Sequence, residues 1–84
     1  MKTALRPFRP IKPGEILQEE LDVREWSAGH FADITGRSNE EINEIIEGKK
    51  TITPAAAVAF SRALGTSAEY WLSLEAAYRL DCAH

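Results

Sequence analysis

Apolar residues recur at helical spacing in five stretches of this chain, and each stretch is bracketed by capping or stop residues. Ile16, Leu17 and Leu21 share one face, with Glu19 and Glu20 outside it. Pro13 suits a first helical position, where its missing N–H costs nothing. The spacing predicts a first helix from about Pro13 to Asp22. Ser27 caps a second, running to about Thr35 with Phe31 and Ile34 facing inward. Gly29 weakens it, by up to about 1 kcal/mol for glycine in a helix interior. Ile42, Ile45 and Ile46 fall at i, i+3 and i+4 and predict a short third helix with one narrow buried stripe. Thr53-Pro54 repeats the cap-then-proline signal for an alanine-rich fourth helix to Leu64, stopped by Gly65. Ser67 opens a fifth, whose apolar set is Tyr70, Trp71, Leu74, Ala77, Tyr78 and Leu80. No strand-like alternation, internal repeat or low-complexity tract interrupts the series. The expected fold class is all-α, a compact five-helix domain.

The third helix is the most fully specified. Ser38 can accept from a first-turn N–H, and Glu41 can reach back to the Ser38 N–H, which predicts a capping box. The face opposite the isoleucines carries Asn39, Glu40, Asn43, Glu44 and Glu47. Gly48 suits the left-handed position that ends a helix, and Lys49 and Lys50 follow where the C-terminal carbonyls favour positive charge. With the tight turn at Gly36, the second and third helices are similar to a helix-turn-helix, and the others hold that pair.

Composition narrows the function. The chain has 84 residues, 44% of them hydrophobic, enough for one domain and one modest core. It has neither a run apolar enough to cross a membrane nor a secretory h-region, so a cytoplasmic location is expected. Residues 1–12 form a basic, proline-containing arm with Lys2, Arg6, Arg9 and Lys12, in which Phe8 and Ile11 are candidate anchors. Residues 13–81 form the domain and 82–84 a tail. Cys82 is the single cysteine, so neither an intrachain disulfide nor a cysteine zinc site is expected. His30 and Asp33, at i and i+3, are an exposed polar pair; two ligands do not make a metal site. There is no cofactor motif, nucleophile–base pair or phosphate loop, which argues against an enzyme. The net charge of −3 lends no general attraction to nucleic acid.

Four motifs together resemble the HigA/VapI-type antitoxins of the lambda-repressor-like (Xre) helix-turn-helix family. They are Pro13-Gly14-Glu15-Ile16-Leu17 with Glu20-Leu21; Ile42 through Lys50 with Ile52-Thr53; Leu64 through Leu74; and Ala77-Tyr78-Arg79-Leu80. The resemblance implies a homodimeric DNA-binding domain that represses its own operon. It also implies a partner, a RelE-like (HigB-type) ribonuclease toxin. By the same resemblance the third helix enters the major groove. Ser38 and Asn39 then correspond to phosphate and base contacts, Asn43 to a base-edge position, and Lys49 and Lys50 to backbone contacts. The chemistry suits those roles, since Asn pairs bidentately with adenine and lysines hold phosphates. Read on their residues alone, Asn43 is either a solvated side chain or a base reader, and Arg37 either a phosphate contact or an exposed charge. Two departures stand out. Ala28 and Gly29 occupy positions where relatives carry Gln and Thr or a similar pair, and Glu40 sits where basic residues are common; Glu40 can read cytosine N4 but otherwise repels phosphate. They motivate an alternative, a protein-interaction module that keeps the fold with weak DNA binding. Trp71, Leu74 and Tyr78 read as core, with part of that surface left over as a dimer face.

Overall fold

Most helix ends lie where side-chain caps or left-handed residues stop the backbone; the first helix opens on Pro13 without a side-chain cap. In the computed structural model, which describes residues 11–82 with side chains to residue 80, the elements are α1 (Pro13–Arg24), α2 (Ala28–Thr35), α3 (Asn39–Ile46), α4 (Pro54–Leu64) and α5 (Ala68–Cys82). Among the described residues there is no strand. The hydroxyls of Ser27, Ser38, Thr53 and Ser67 each accept from the backbone N–H three residues on, at 3.0–3.2 Å. Gly36 and Gly65 end α2 and α4 at φ 73° and 78°.

α1 is longer than its pattern predicts. It continues past Asp22 to Arg24 because Glu25 adopts φ 59°, and its N–H donates to the Asp22 carbonyl at 3.0 Å. A non-glycine residue in the left-handed region leaves no stop signal to read. α5 likewise runs through Cys82, a residue assigned to the tail. The Phe8 anchor lies outside the described residues, and Ile11 is exposed.

The core is built from Leu17, Leu21, Phe31, Ala32, Ile42, Ile45, Ile52, Ala56, Ala57, Phe60, Leu64 and Trp71. Phe60 links its two sides, with ring centroids 5.1 Å from Phe31 and 5.5 Å from Trp71. Burying such side chains supplies roughly 1.5–3 kcal/mol each. The Trp71 indole N–H donates to the Thr66 hydroxyl at 2.7 Å, so the ring is enclosed without an orphaned donor. Ile34 corrects the pattern: it is 44% exposed, and Phe31 and Ala32 are the inward residues of α2. Eight residues make only two turns, so the inward arc of α2 has room for little more than those two.

One contact places α3 and a second ties α1 to α4. Gly14 abuts the C-terminal end of α3 so closely that a Cβ there would overlap the Ile45 and Ile46 carbonyls. Its place at i−3 from buried Leu17 and i−7 from buried Leu21 puts it on the inward stripe of α1, so no side chain fits. Arg24 closes the other end of α1, donating to the Glu20 carboxylate at 2.7 Å and to the Leu64 carbonyl at the end of α4 at 3.0 Å.

Thermal unfolding checks both glycine-related positions, in opposite directions. Gly14→Ala is expected to cost about 3 kcal/mol by overpacking, a fall in Tm of more than ~10 °C. Glu25→Gly is expected to raise stability by about 1 kcal/mol by relieving the left-handed backbone.

Candidate nucleic-acid interface

α3 turns a fully polar face to solvent. Ser38, Asn39, Glu40, Asn43, Glu44 and Glu47 are all exposed, while Ile42 and Ile45 are buried and Ile46 half-buried. The isoleucine spacing therefore selects which side chains point outward. Asn39 and Asn43 stand one turn apart, joined by a 3.5 Å contact from Asn43 Nδ2 to Asn39 Oδ1. A hydrogen bond that long is weak and leaves both amides available. The start of α2 borders this face: a Cβ on Gly29 would lie 3.8 Å from Asn39 Oδ1. Ala28 and Gly29 bring no hydroxyl or amide side chain there.

Beyond α3 the chain turns back on Gly48 at φ 83°. The N–H groups of Lys49 and Lys50 both donate to the Glu44 carbonyl, at 2.8 and 3.3 Å. Both lysines are exposed. Lys49 Nζ approaches Glu47 Oε1 at 3.4 Å, with the side chains 72% and 56% exposed. A pair that open contributes about 0–1 kcal/mol and does not hold the lysine in place. The Lys12 stem crosses Gly48, its Cδ 3.3 Å from where a glycine Cβ would stand. Three ammonium-bearing side chains thus gather at one end of the α3 face, and three carboxylates, Glu40, Glu44 and Glu47, lie along it.

Two expectations change. The predicted capping box is half made. Ser38 Oγ accepts from the Glu41 N–H at 3.0 Å, but the Glu41 carboxylate pairs with Arg37, whose Nη1 donates to Oε2 at 2.6 Å. Arg37 is neither a freely exposed charge nor presented to a ligand in this conformation. Its side chain is 20% exposed and its buried Nε has no partner. The dimer-face assignment is corrected at Trp71, which has no exposed area and belongs wholly to the core. Leu74 and Tyr78 are half-buried, and on the same helix Tyr70 and Leu80 are exposed by 40% and 64%. His30 is exposed and edge-on to Trp26, with ring centroids 5.3 Å apart.

Sequence reasoning missed Glu75. This α5 carboxylate is 8% exposed, and its Oε1 accepts from the Ile52 N–H at 3.0 Å. The signal was available: Glu75 follows Trp71 by four residues, placing a carboxylate on the buried stripe.

No protein-family model matches the chain. It is 34% identical over 80 residues to the HTH-type transcriptional regulator YddM of Escherichia coli, covering 95% of this chain and 81% of that one. It is 39% identical over 74 residues to virulence-associated protein I of Dichelobacter nodosus, covering 87% and 68%. The structure of Pseudomonas aeruginosa antitoxin HigA with the higBA promoter superposes at a TM-score of 0.86, with 34% identity over 89% of this chain and 83% of that chain. The chain belongs to the HigA/VapI-type antitoxins of the Xre-like helix-turn-helix family. Its five helices match the helix-turn-helix fold of the HigA antitoxins. Within this family fold, the exposed face of α3 and the turn at Gly48 are the candidate interface, and the Arg37–Glu41 pair is its internal brace.

Removing the acceptor of that brace tests it. Glu41→Ala leaves the Arg37 guanidinium without its partner in a half-buried site, and chemical denaturation is expected to show a loss of roughly 1–2 kcal/mol. Once Arg37 is also replaced, a double-mutant cycle should return most of that loss.

Proposed function

We propose that this protein is a HigA-type antitoxin that binds its own operator as a dimer and neutralises a RelE-like toxin. The observation that carries the DNA-binding part is the superposition, at a TM-score of 0.86, on a HigA antitoxin solved with promoter DNA. The equivalent of its helix-turn-helix here presents Ser38, Asn39 and Asn43 along one exposed face, with Lys49 and Lys50 at its end. In this reading α3 lies in the major groove. Asn39 and Asn43 read base edges, Ser38 approaches a phosphate, and the two lysines hold the backbone. Glu40 either accepts from a cytosine amino group or selects against phosphate at that position. Arg37 exchanges Glu41 for a phosphate on binding, or stays as the brace.

Dimerisation supplies two such helices about one helical turn, ~34 Å, apart on the duplex. The outward surface of α5, with Leu74, Tyr78 and Leu80, is the proposed dimer face. Toxin contact is assigned to the arm or the outer face of α1. The protein acts by binding, with no catalytic step of its own. No helix among the described residues is long and apolar enough to cross a membrane.

A second reading is favoured by one specific feature. α3 carries Glu40, Glu41 and Glu44 and no cation, and the neighbouring Arg37 is already engaged. A face of that charge suits a protein partner better than a polyanion. Under this reading the chain keeps the fold and binds DNA weakly.

Titration of the chain's own upstream DNA across salt separates the two. The repressor reading expects specific binding whose log–log salt slope falls by about 2 in Lys49→Ala/Lys50→Ala. A folded dimer that binds no better than to unrelated DNA would leave the interaction module. Affinity capture from the native host tests the toxin separately, the expected partner being a small basic ribonuclease; its absence would end the antitoxin assignment.

A further inference from the structure

We propose that Glu75 is a positioning residue for DNA binding: from α5 it fastens the turn that carries Lys49 and Lys50, and so sets where those lysines meet phosphate. The inference rests on the DNA-binding reading above. Residues 47–53 belong to no helix. The Glu44 carbonyl takes the Lys49 and Lys50 N–H groups, so α3 itself accounts for the first half of the turn. The second half crosses to α4 without support of that kind. Its Ile52 side chain is buried, and its N–H has no place in a helical ladder. Glu75 Oε1 meets that N–H from 23 residues away in sequence.

The choice of residue is informative. Glu75 stands on the stripe of α5 that also carries Trp71, Leu74 and Tyr78, where an apolar side chain would serve packing. A buried carboxylate is costly to desolvate unless hydrogen-bonded. Here one oxygen accepts from Ile52 and the other from Arg79 Nε at 3.3 Å, while the Arg79 side chain stays 61% exposed. A charged acceptor makes a stronger bond to a backbone N–H than a neutral one. Glu75 also lines the small cavity bounded by Gly14, Gly48, Lys49, Lys50 and Thr51. It therefore bonds the turn and faces the junction of α1 with α3 across this cavity. Lysine stems are long and rotatable, so phosphate contact gains from holding the backbone that bears them.

The test compares the full-length chain with Glu75→Ala, Glu75→Gln and a distant core variant, Leu64→Ala. Amide exchange is read in the free protein, and the salt slope on upstream DNA in the complex. Glu75→Ala should speed exchange at Ile52 at least tenfold more than at Phe60, and should lower the salt slope by about 1–2. Glu75→Gln keeps an oxygen for the Ile52 N–H and should restore the slope. Leu64→Ala should lower Tm and leave the slope unchanged, which a purely structural role for Glu75 would not distinguish from Glu75→Ala. Glu75→Leu keeps bulk on the stripe while removing the acceptor, and answers the same question should the alanine variant not fold. An unaltered slope in Glu75→Ala or Glu75→Leu, or an equal loss in Leu64→Ala, overturns the inference and leaves the DNA-binding reading standing. Failure of the unsubstituted protein to bind upstream DNA at all overturns both.

Discussion

The backbone of α1 at Gly14 lies against the last carbonyls of α3, in a space that no Cβ could share. That contact fixes how closely the start of α1 approaches the C-terminal end of α3, because no side chain separates the two backbones. It also brings the positive end of one helix dipole to the negative end of another. The neighbouring features follow from it. Lys12, just before α1, is carried across Gly48. The turn after α3 is confined between α1 and α5, where Glu75 can reach the Ile52 N–H. The candidate interface thus lies at a junction of three helices, its outward residues coming from α3 and the turn that follows it.

Electrostatics divides that interface along its length. Carboxylates line the outer face of α3, and cations gather where the chain turns away from it. On a nucleic-acid ligand, phosphate contact would be favourable at the Gly48 end, whereas the middle of α3 would suit base edges or a position clear of the backbone. A family member with this distribution would draw much of its affinity from a few end contacts, which makes the geometry of the turn matter more. The Arg37–Glu41 pair fits the same economy of charge. One cation near the start of α3 is committed to bracing it, at 2.6 Å. Family membership settles the architecture; what the α3 face can contact depends on such local arrangements.

Periodicity and capping made most of the architecture legible. Three of the four hydroxyl caps lie between a turn and an apolar repeat, and the fourth precedes a proline. Each could be read because a cap is a local event, satisfied within one helical turn. The isoleucine stripe of α3 identified its exposed face for a similar reason, since 3.6-residue spacing ties inward and outward positions together. Errors occurred where a residue had more than one partner or face open to it and packing selected one. Glu41 looked like a capping partner and went to Arg37. Ile34 looked inward until the short arc of α2 was filled by Phe31 and Ala32. Trp71 could be assigned to both core and surface, and its place was decided by Phe60 and Thr66.

The sequence alone therefore determined the five helices, the polar face of α3, the lysines after its glycine stop and, through its motifs, the family. These are properties of chemistry within a few residues, or of their order along the chain. Tertiary structure decided that Gly14 must lack a side chain, that Arg24 closes the end of α4, and that Glu75 holds the turn bearing Lys49 and Lys50. Each joins groups between 23 and 40 residues apart, or two backbones in contact. No periodicity encodes such pairings, because they depend on how the packed helices bring distant polar groups within about 3 Å.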